Sequence, residues 1–295
     1  MKVVLGRDDL ARAAGDGARA AGAAFERVDV TPVHKAFKGF VNDSSFDVCE
    51  IAVVTLLQAL AHGKPVVLLP VTTLGRFQHQ TLVARKDLAP EAVEGRTVGV
   101  RSWSQTTCVW VRGFLTEQYG VDLRKVDWVA YEDGHIREYR DPSWVRRAPE
   151  GATLPRDFLD GRVDFGIMGN DLPKGDDATR SVIPDAAQAA AEWSARKGFV
   201  PVNHVVAVSE TAAREHSDAI CAMYDAMRQV AAAEPAKGPV PFSPAGFEAL
   251  RGPLTQAARY AAEQDVLPAP VDYDDLVARA CDALGVPPSR LGGRP

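Results

Sequence analysis

Residues 46–71, FDVCEIAVVTLLQALAHGKPVVLLPV, decide the fold class. Two short apolar runs, 46–53 and 65–71, flank the helical stretch 55–63, which ends in Gly as many helices do. Runs that are this short and this uniformly apolar are typical of strands in a parallel sheet covered on both faces. The segment is therefore predicted to be a β-α-β unit.

The same alternation recurs along the rest of the chain. Further short apolar runs predict strands, and segments with helical spacing lie between them. These runs are KVVLG (2–6), RTVGV (96–100), KVDWVAY (125–131), VDFGIM (163–168) and NHVVAVS (203–209). The sequence thus predicts an α/β protein.

The chain is predicted to cross twice between two sheets. It has 295 residues, which is more than one compact unit usually has. An extended stretch, 79–88, precedes a fresh βα series, and a second crossing is expected near residue 200. We therefore expect a discontinuous first lobe of residues 1–85 plus 201–295 and a second lobe of residues 86–200. Ligands bind beyond the carboxyl ends of such strands, so both lobes should aim their loops into one cleft.

Composition excludes several classes of protein. Hydrophobic residues make up 46% and charged residues 25% of the chain, as in ordinary globular proteins. The formal charge of -5, without a dense Lys/Arg block, argues against a nucleic-acid partner. The N-terminus has no long apolar run, so we expect no signal peptide, no membrane anchor and a cytoplasmic location. Four distant cysteines, Cys49, Cys108, Cys221 and Cys281, form no CxxC pair and are expected to be buried thiols.

Arg76 and His79 lie three residues apart in the loop after residues 65–71, at the first predicted crossing. A guanidinium can pair with a carboxylate through two hydrogen bonds, and an imidazole beside it can hold or donate a proton. The pair is a candidate catalytic site. The alternative is a hinge in which Arg76 forms a salt bridge and His79 is packed.

The loop 101–107, RSWSQTT, leads directly into the helical stretch 108–120. Its hydroxyls and the free backbone N–H groups of the helix start could bind an anion, with Ser104 or Thr106 as the capping residue. The candidate ligand contacts of this loop are Trp103, Ser104, Gln105, Thr106 and Thr107. Trp103 could stack on an aromatic ring or could simply pack in the core.

Two charged residues interrupt apolar stretches. Arg112, in that same helix, needs an anionic partner or solvent, and a substrate and a salt bridge to the other lobe are equally open. Glu50 is expected to be paired, with Arg76 as the candidate partner. His204 lies at the second predicted crossing and could face the cleft opposite His79, although a histidine on an apolar strand is more often packed in a core.

Two more polar clusters follow predicted strands. Asn170 and Asp171 come after residues 163–168, where they could bind ligand hydroxyls, with Asn170 as the chosen candidate. Asp133 and His135 follow the strand 125–131 and form a weaker candidate. Motifs for metals, nucleotides and acyl-enzyme chemistry are absent from the sequence, so no metal site is predicted.

Together, three segments resemble the 4,5-dihydroxyphthalate decarboxylase family. They are residues 46–71, RFQHQ at 76–80, and LAPEAVEGRTVGVRSWSQTTCVWVRGFLTEQYGVDL at 88–123. Weaker similarity occurs at GRVDFGIM (161–168) and PVNHVVAVS (201–209). The resemblance implies a two-lobed fold like that of type II periplasmic-binding proteins. Each lobe would be a mostly parallel sheet flanked by helices, with two interlobe crossings.

The resemblance also implies a carbon-carbon lyase that needs no cofactor. Its substrate would be a hydroxylated aromatic dicarboxylate such as 4,5-dihydroxyphthalate, which would give protocatechuate and CO₂. Arg76, with Arg112 as a second cation, would bind the retained carboxylate, residues 104–107 would add neutral donors, and His79 or His204 would be the acid. The expected partner is thus a small aromatic carboxylate, not a nucleic acid or a membrane, and the oligomeric state, a homo-oligomer included, is left open.

Two alternatives share this scaffold. One is another lyase, of the type found in the futalosine pathway to menaquinone, which only substrate profiling would separate. The other is a solute-binding protein for an aromatic acid, which a signal peptide would favour.

Overall fold

The computed structural model describes residues 1–169, 178–235 and 238–294. Each of the seven apolar runs predicted as strands contains a strand, and the described residues include four further short strands, Glu26–Arg27, Leu82–Ala84, Arg146–Arg147 and Arg180–Ser181. The strands are β1 Lys2–Val4, β2 Glu26–Arg27, β3 Val48–Ala52, β4 Val66–Gly75, β5 Leu82–Ala84, β6 Thr97–Val100, β7 Asp127–Ala130, β8 Arg146–Arg147, β9 Phe165–Ile167, β10 Arg180–Ser181 and β11 Val202–Ser209. The helices are α1 Asp8–Ala20, α2 Phe37–Asp43, α3 Val53–Ala61, α4 Thr106–Tyr119, α5 Leu154–Leu159, α6 Ala186–Lys197, α7 Glu210–Glu215, α8 Ser217–Ala232, α9 Phe247–Glu263 and α10 Tyr273–Leu284.

The first lobe is built on a sheet with the strand order β2-β1-β3-β11-β4. β1 pairs with β2 and β3 in parallel, whereas β11 runs antiparallel to both β3 and β4. β11 differs because it returns from the second lobe and enters the sheet from the opposite end. The sheet is therefore mixed. Helices α3, α8 and α10 contact β4 and bury the apolar side chains of this edge strand.

The second lobe is built on a sheet with the order β10-β5-β9-β6-β7-β8. β6 pairs in parallel with β7 and β9, and β5 runs antiparallel to β9 and β10. β5, at Leu82–Ala84, already belongs to this sheet, a few residues before the predicted crossing. The division of the chain at residues 85 and 200 stays a prediction.

The two crossings lie side by side. β4 leaves the first lobe and β11 returns to it, and the antiparallel ladder between them pairs Gly75 with Val202. A side chain at position 75 would overlap the backbone carbonyl of Phe242, which explains the glycine at the end of β4. The last residue of β4 and the first residue of β11 thus lie side by side, next to the second lobe.

Helix α9 also contacts both lobes, α3 in the first and α4 in the second. The ring of Tyr260 packs on the backbone of Gly113, and its hydroxyl donates to Oε2 of Glu117 at 2.5 Å. The four cysteines are buried free thiols, as predicted. Along the three described ranges, no helix combines the length and apolar composition needed to span a membrane.

Candidate functional site

Glu50, which is buried, and His204, which is half-buried, form a pair on neighbouring antiparallel strands. The ladder pairs Glu50 of β3 with Val206 of β11. Because His204 lies two residues before Val206, its side chain shares the face of the sheet that carries Glu50. His204 Nδ1 lies 2.7 Å from Glu50 Oε1, and Glu50 Oε2 accepts a 2.9 Å hydrogen bond from the backbone N–H of Gly6. Both carboxylate oxygens are therefore fixed.

The electrostatics of Glu50 follow from these contacts. Its side chain is 6% exposed, and that of His204 is 18% exposed. Burial alone would raise the pKa of Glu50, but hydrogen bonds from His204 and Gly6 outweigh it and leave the pKa below its ordinary value. With Nδ1 held by a charged carboxylate, Nε2 of His204 is the ring nitrogen that can meet a ligand.

A second imidazole comes from the other lobe. His135 follows β7, and its Nδ1 lies 2.8 Å from Oγ1 of Thr55 in the first turn of α3. The rings of His135 and His204 both pack edge-on against Phe37, with centroid distances of 5.3 and 5.4 Å. The two histidines therefore flank one phenylalanine. In the sequence, His135 was a candidate site residue only through the weaker cluster that it forms with Asp133 after the strand 125–131.

The two imidazoles have different surroundings. Burial, with the positive charges of Arg101 and Lys38, lowers the pKa of His135 to about 3, so this ring is neutral at neutral pH. His204, by contrast, contacts the charged carboxylate of Glu50. The two rings can therefore take different roles toward a ligand.

Two helix starts meet between the lobes. The hydroxyl of Thr106, at the start of α4, accepts a 3.1 Å hydrogen bond from the backbone N–H of Val54 at the start of α3. The predicted cap was wrong, because Gln105 occupies the N-cap position of α4 and no side chain caps that helix. Instead, the Gln105 amide oxygen accepts a hydrogen bond from Cys108 Sγ. Two positive helix ends therefore lie at this junction.

Arg76 belongs to a polar network at the crossing strands. Its Nη2 lies 3.5 Å from Oγ1 of Thr107, which also accepts a 3.2 Å hydrogen bond from Nδ2 of Asn203. Asn203 Oδ1 accepts in turn from Nε2 of Gln78. The expected pairing of Arg76 with Glu50 was wrong, since the Glu50 carboxylate is bound by His204 and Gly6. Sequence reasoning missed Gln78 and Asn203, although both adjoin residues that it selected.

His79 lies in a different place from the one expected. It is fully buried, its ring stacks on Phe114 at 4.0 Å, and its Nε2 lies 2.9 Å from Nε2 of Gln118. Trp193 of α6 covers its edge. Burial lowers the pKa of His79 to about 4. His79 therefore does not face His204 across a cleft; it is packed, as in the hinge alternative.

Arg112 and Trp103 also pack in the interior, and neither side chain is exposed. The guanidinium of Arg112 lies 3.5 Å above the Trp103 ring, and it donates to the Trp103 carbonyl at 2.6 Å and to Oε1 of Gln264 at 2.8 Å. Burial lowers the pKa of Arg112 to about 10, so it stays charged at neutral pH. Both residues thus link α4 to the end of α9, and their predicted ligand contacts stay predictions.

The remaining candidates are peripheral or untested. Ser104 is buried, with its Oγ 3.4 Å from that of Ser102 and packed against Gly134. Asn170 and Asp171 lie outside the described residues. Within the described ranges, no group of three or more His, Cys, Asp or Glu side chains is placed to hold a metal ion.

Known proteins resemble this chain in sequence. It is 32% identical over 195 residues to a 4,5-dihydroxyphthalate decarboxylase of Comamonas testosteroni. The matched residues cover 61% of this chain and 58% of that protein. It is 28% identical over 172 residues to a protein of the same name from Pseudomonas putida, with coverage of 53% and 66%. The chain thus spans less than two thirds of the length of these curated relatives. No protein-family model matches it.

Solved structures share its fold. The desulfurization enzyme DSZB has a TM-score of 0.52 and 16% identity, covering 96% of this chain and 99% of that one. The periplasmic sulfonate-binding protein SsuA from Methylobacillus flagellatus KT has a TM-score of 0.50 and 12% identity, covering 97% and 94%. The two-lobed fold of type II periplasmic-binding proteins is confirmed. The sequence resemblance is confirmed as well: the chain is similar to the 4,5-dihydroxyphthalate decarboxylases.

Proposed function

We propose that this protein is a decarboxylase that removes one carboxyl group from a hydroxylated aromatic dicarboxylate such as 4,5-dihydroxyphthalate. The observation that carries the proposal is the similarity to two proteins of that name, at 32% and 28% identity. The site between the lobes supplies groups that suit the reaction: an imidazole on a carboxylate, a guanidinium beside a hydroxyl, and two helix starts.

The reaction replaces a carboxylate on the ring by a proton. Electron density from the hydroxyl para to the departing group moves to the ring carbon, which forms a new C–H bond with a proton from an acid. The C–C bond then breaks, its electron pair returns to the ring, and CO₂ leaves. The hydroxyl recovers its original form, so the products are protocatechuate and CO₂, and no oxidant or reductant is needed.

His204 is the proposed acid. Its Nδ1 is held by Glu50 at 2.7 Å, which orients the ring and leaves Nε2 to deliver the proton. Glu50 also balances the positive charge that the protonated ring carries before transfer. His79 is not proposed for this role, because its ring lies in a packed core against Phe114.

Arg76 and Thr107 are the proposed binding groups for the retained carboxylate. A guanidinium forms strong, charge-assisted hydrogen bonds with carboxylates, and Thr107 lies within 3.5 Å of it in the first turn of α4. The helix start adds a positive partial charge at the same place. The departing carboxylate should meet fewer donors, since stabilising it as strongly as the transition state would slow the reaction.

Contacts across the lobes would keep water from the reacting carbon. The Thr106–Val54 and Thr55–His135 hydrogen bonds connect the second lobe to the start of α3. A substrate enclosed between them would react in surroundings of low polarity, where charged groups act more strongly.

The test is CO₂ release from 4,5-dihydroxyphthalate by the purified full chain, with protocatechuate identified by mass spectrometry. Phthalate without hydroxyls is the matched control. Its carboxylates can meet Arg76 and Thr107 in the same way, but it lacks the electron-donating group. We expect turnover of the first compound only, with the same rate after dialysis against a chelator. Absence of CO₂ from every hydroxylated phthalate would overturn the proposal, and binding without turnover would favour a solute-binding protein.

The cytoplasmic location stays a prediction, and the sequence leaves the oligomeric state open. The first can be read from the fractionation of cells that carry the native gene, and the second from the mass of the purified protein in solution.

A further inference from the structure

We infer that Asn42 is a positioning residue, which fixes the backbone of His135 so that this imidazole binds an oxygen of the substrate beside His204. The identity of the substrate rests on the proposed function. The placement of His135 by Asn42 rests on the contacts below and can be tested without any activity.

Asn42 uses both ends of its amide on the segment that carries His135. From α2 in the first lobe, its Nδ2 donates to the carbonyl of His135 at 2.8 Å. Its Oδ1 accepts from the backbone N–H of Arg137 at 3.2 Å. One side chain thus satisfies backbone groups on both sides of Ile136, which holds the segment in a single register against the first lobe.

Other contacts tie the same segment to the first lobe, but they are weaker anchors. Arg137 pairs with Asp43 at 2.8 Å and Lys64 with Glu138 at 2.7 Å. Arg137 and Asp43 are 67% and 53% exposed and Glu138 is 52% exposed, so water competes for these ion pairs. Asn42 is half-buried and contacts the backbone of His135 itself.

The side chain of His135 is then fixed from two more directions. Thr55 Oγ1 engages Nδ1 at 2.8 Å, and the ring of Phe37 packs against the imidazole. With Nδ1 engaged, Nε2 is the atom that can meet a ligand. The opening between α2 and residues 133–140, lined by Lys38 and Arg140 among others, adjoins this ring and gives a ligand a route to it.

The charges around His135 determine its chemistry. Arg101 after β6, Lys38 on α2, His34 before α2 and His204 on β11 all act on this half-buried ring. A ring that stays neutral can exchange a hydrogen bond with a substrate hydroxyl and carries no positive charge that would compete with His204 for the role of acid. His135 would therefore select substrates with a ring hydroxyl, while His204 supplies the proton.

The primary test is an NMR pH titration of the histidine rings in the full chain. In the wild type, His135 should show no titration between pH 5.5 and 8. In Asn42→Ala the released ring should titrate near the ordinary histidine value of about 6.5. The matched control Glu138→Gln, which removes only an exposed ion pair of the same segment, should leave His135 unchanged. An unchanged His135 in Asn42→Ala would overturn the inference.

Activity supplies the second readout. We expect Asn42→Ala to lower kcat/KM for CO₂ release roughly tenfold and to have no further effect when His135→Ala is already present, because Asn42 acts through His135. Independent, multiplying losses in the double variant would contradict this role. If Asn42→Ala does not fold, Asn42→Asp keeps the size and removes the donor. If no hydroxylated phthalate is turned over, the proposed function fails while the titration still decides the placement of His135.

Discussion

His204 Nδ1 and Glu50 Oε1 lie 2.7 Å apart, and this contact joins the strand that returns from the second lobe to the strand that leads into α3. The pair therefore sits where both crossings meet the start of a helix. An acid placed there can act on a ligand that is held from both lobes.

Glu50→Gln tests the carboxylate of this pair. The amide keeps the size of the side chain but loses the charge that balances a protonated His204. We expect kcat for CO₂ release to fall by about 100-fold with little change in KM, because general-acid catalysis is lost and binding is not. The exposed control Glu248→Gln should keep wild-type kcat, and a Glu50→Gln enzyme within threefold of wild type would contradict the role of Glu50.

Arg76→Ala tests the carboxylate clamp. Removing the guanidinium deletes charge-assisted hydrogen bonds to the substrate, so KM should rise by roughly 10- to 100-fold while kcat falls less. Steady-state kinetics check this. Thr107→Val, which removes only the neighbouring hydroxyl, should raise KM less than Arg76→Ala does. The control is Arg156→Ala, an arginine that is 77% exposed on α5. A KM for Arg76→Ala equal to that of the control would rule out the clamp.

Arg112→Met tests whether the buried arginine is structural. The change leaves Gln264 Oε1 and the Trp103 carbonyl without their donor, which should lower the free energy of unfolding by about 2 kcal/mol. Urea unfolding measures this loss. The folded variant should keep kcat/KM within a few-fold of wild type, and a large loss of substrate affinity with unchanged stability would support the predicted ligand contact instead.

His79 should make stability depend on pH. Its pKa is lowered from 6.5 in the unfolded chain to about 4 in the fold, so below pH 6.5 the unfolded chain binds a proton that the folded chain does not. Stability is therefore lost as the pH falls through this window, by about 2 kcal/mol between pH 7 and pH 4.5. In His79→Gln, urea unfolding at these two pH values should show a loss smaller by that amount, with the contribution of His135 remaining. An identical loss in the variant would show that His79 does not titrate in this way.

The sequence predicted the order of strands and helices well, because each strand of the interior is a short apolar run. It could not predict the direction of β11. The same apolar sequence can pair in a parallel or in an antiparallel ladder. Only the return of the chain from the second lobe sets the direction of that strand.

The site was harder to predict because its pairs join distant parts of the chain. Glu50 and His204 are 154 residues apart in sequence, and only the ladder between β3 and β11 places them on one face. His79 and Arg112 looked functional because polar groups in apolar stretches need partners. Their partners are glutamine side chains from other parts of the fold, Gln118 for His79 and Gln264 for Arg112, which the local sequence does not reveal.

The most direct measurement compares CO₂ release from 4,5-dihydroxyphthalate by the wild type, His204→Gln and His79→Gln, each corrected for the folded fraction. We predict that the wild type is active, that His204→Gln loses turnover by at least about 100-fold with a small change in KM, and that His79→Gln stays within a few-fold of wild type. Equal effects of the two substitutions, or an active His204→Gln enzyme, would contradict the assignment of His204 as the proton donor.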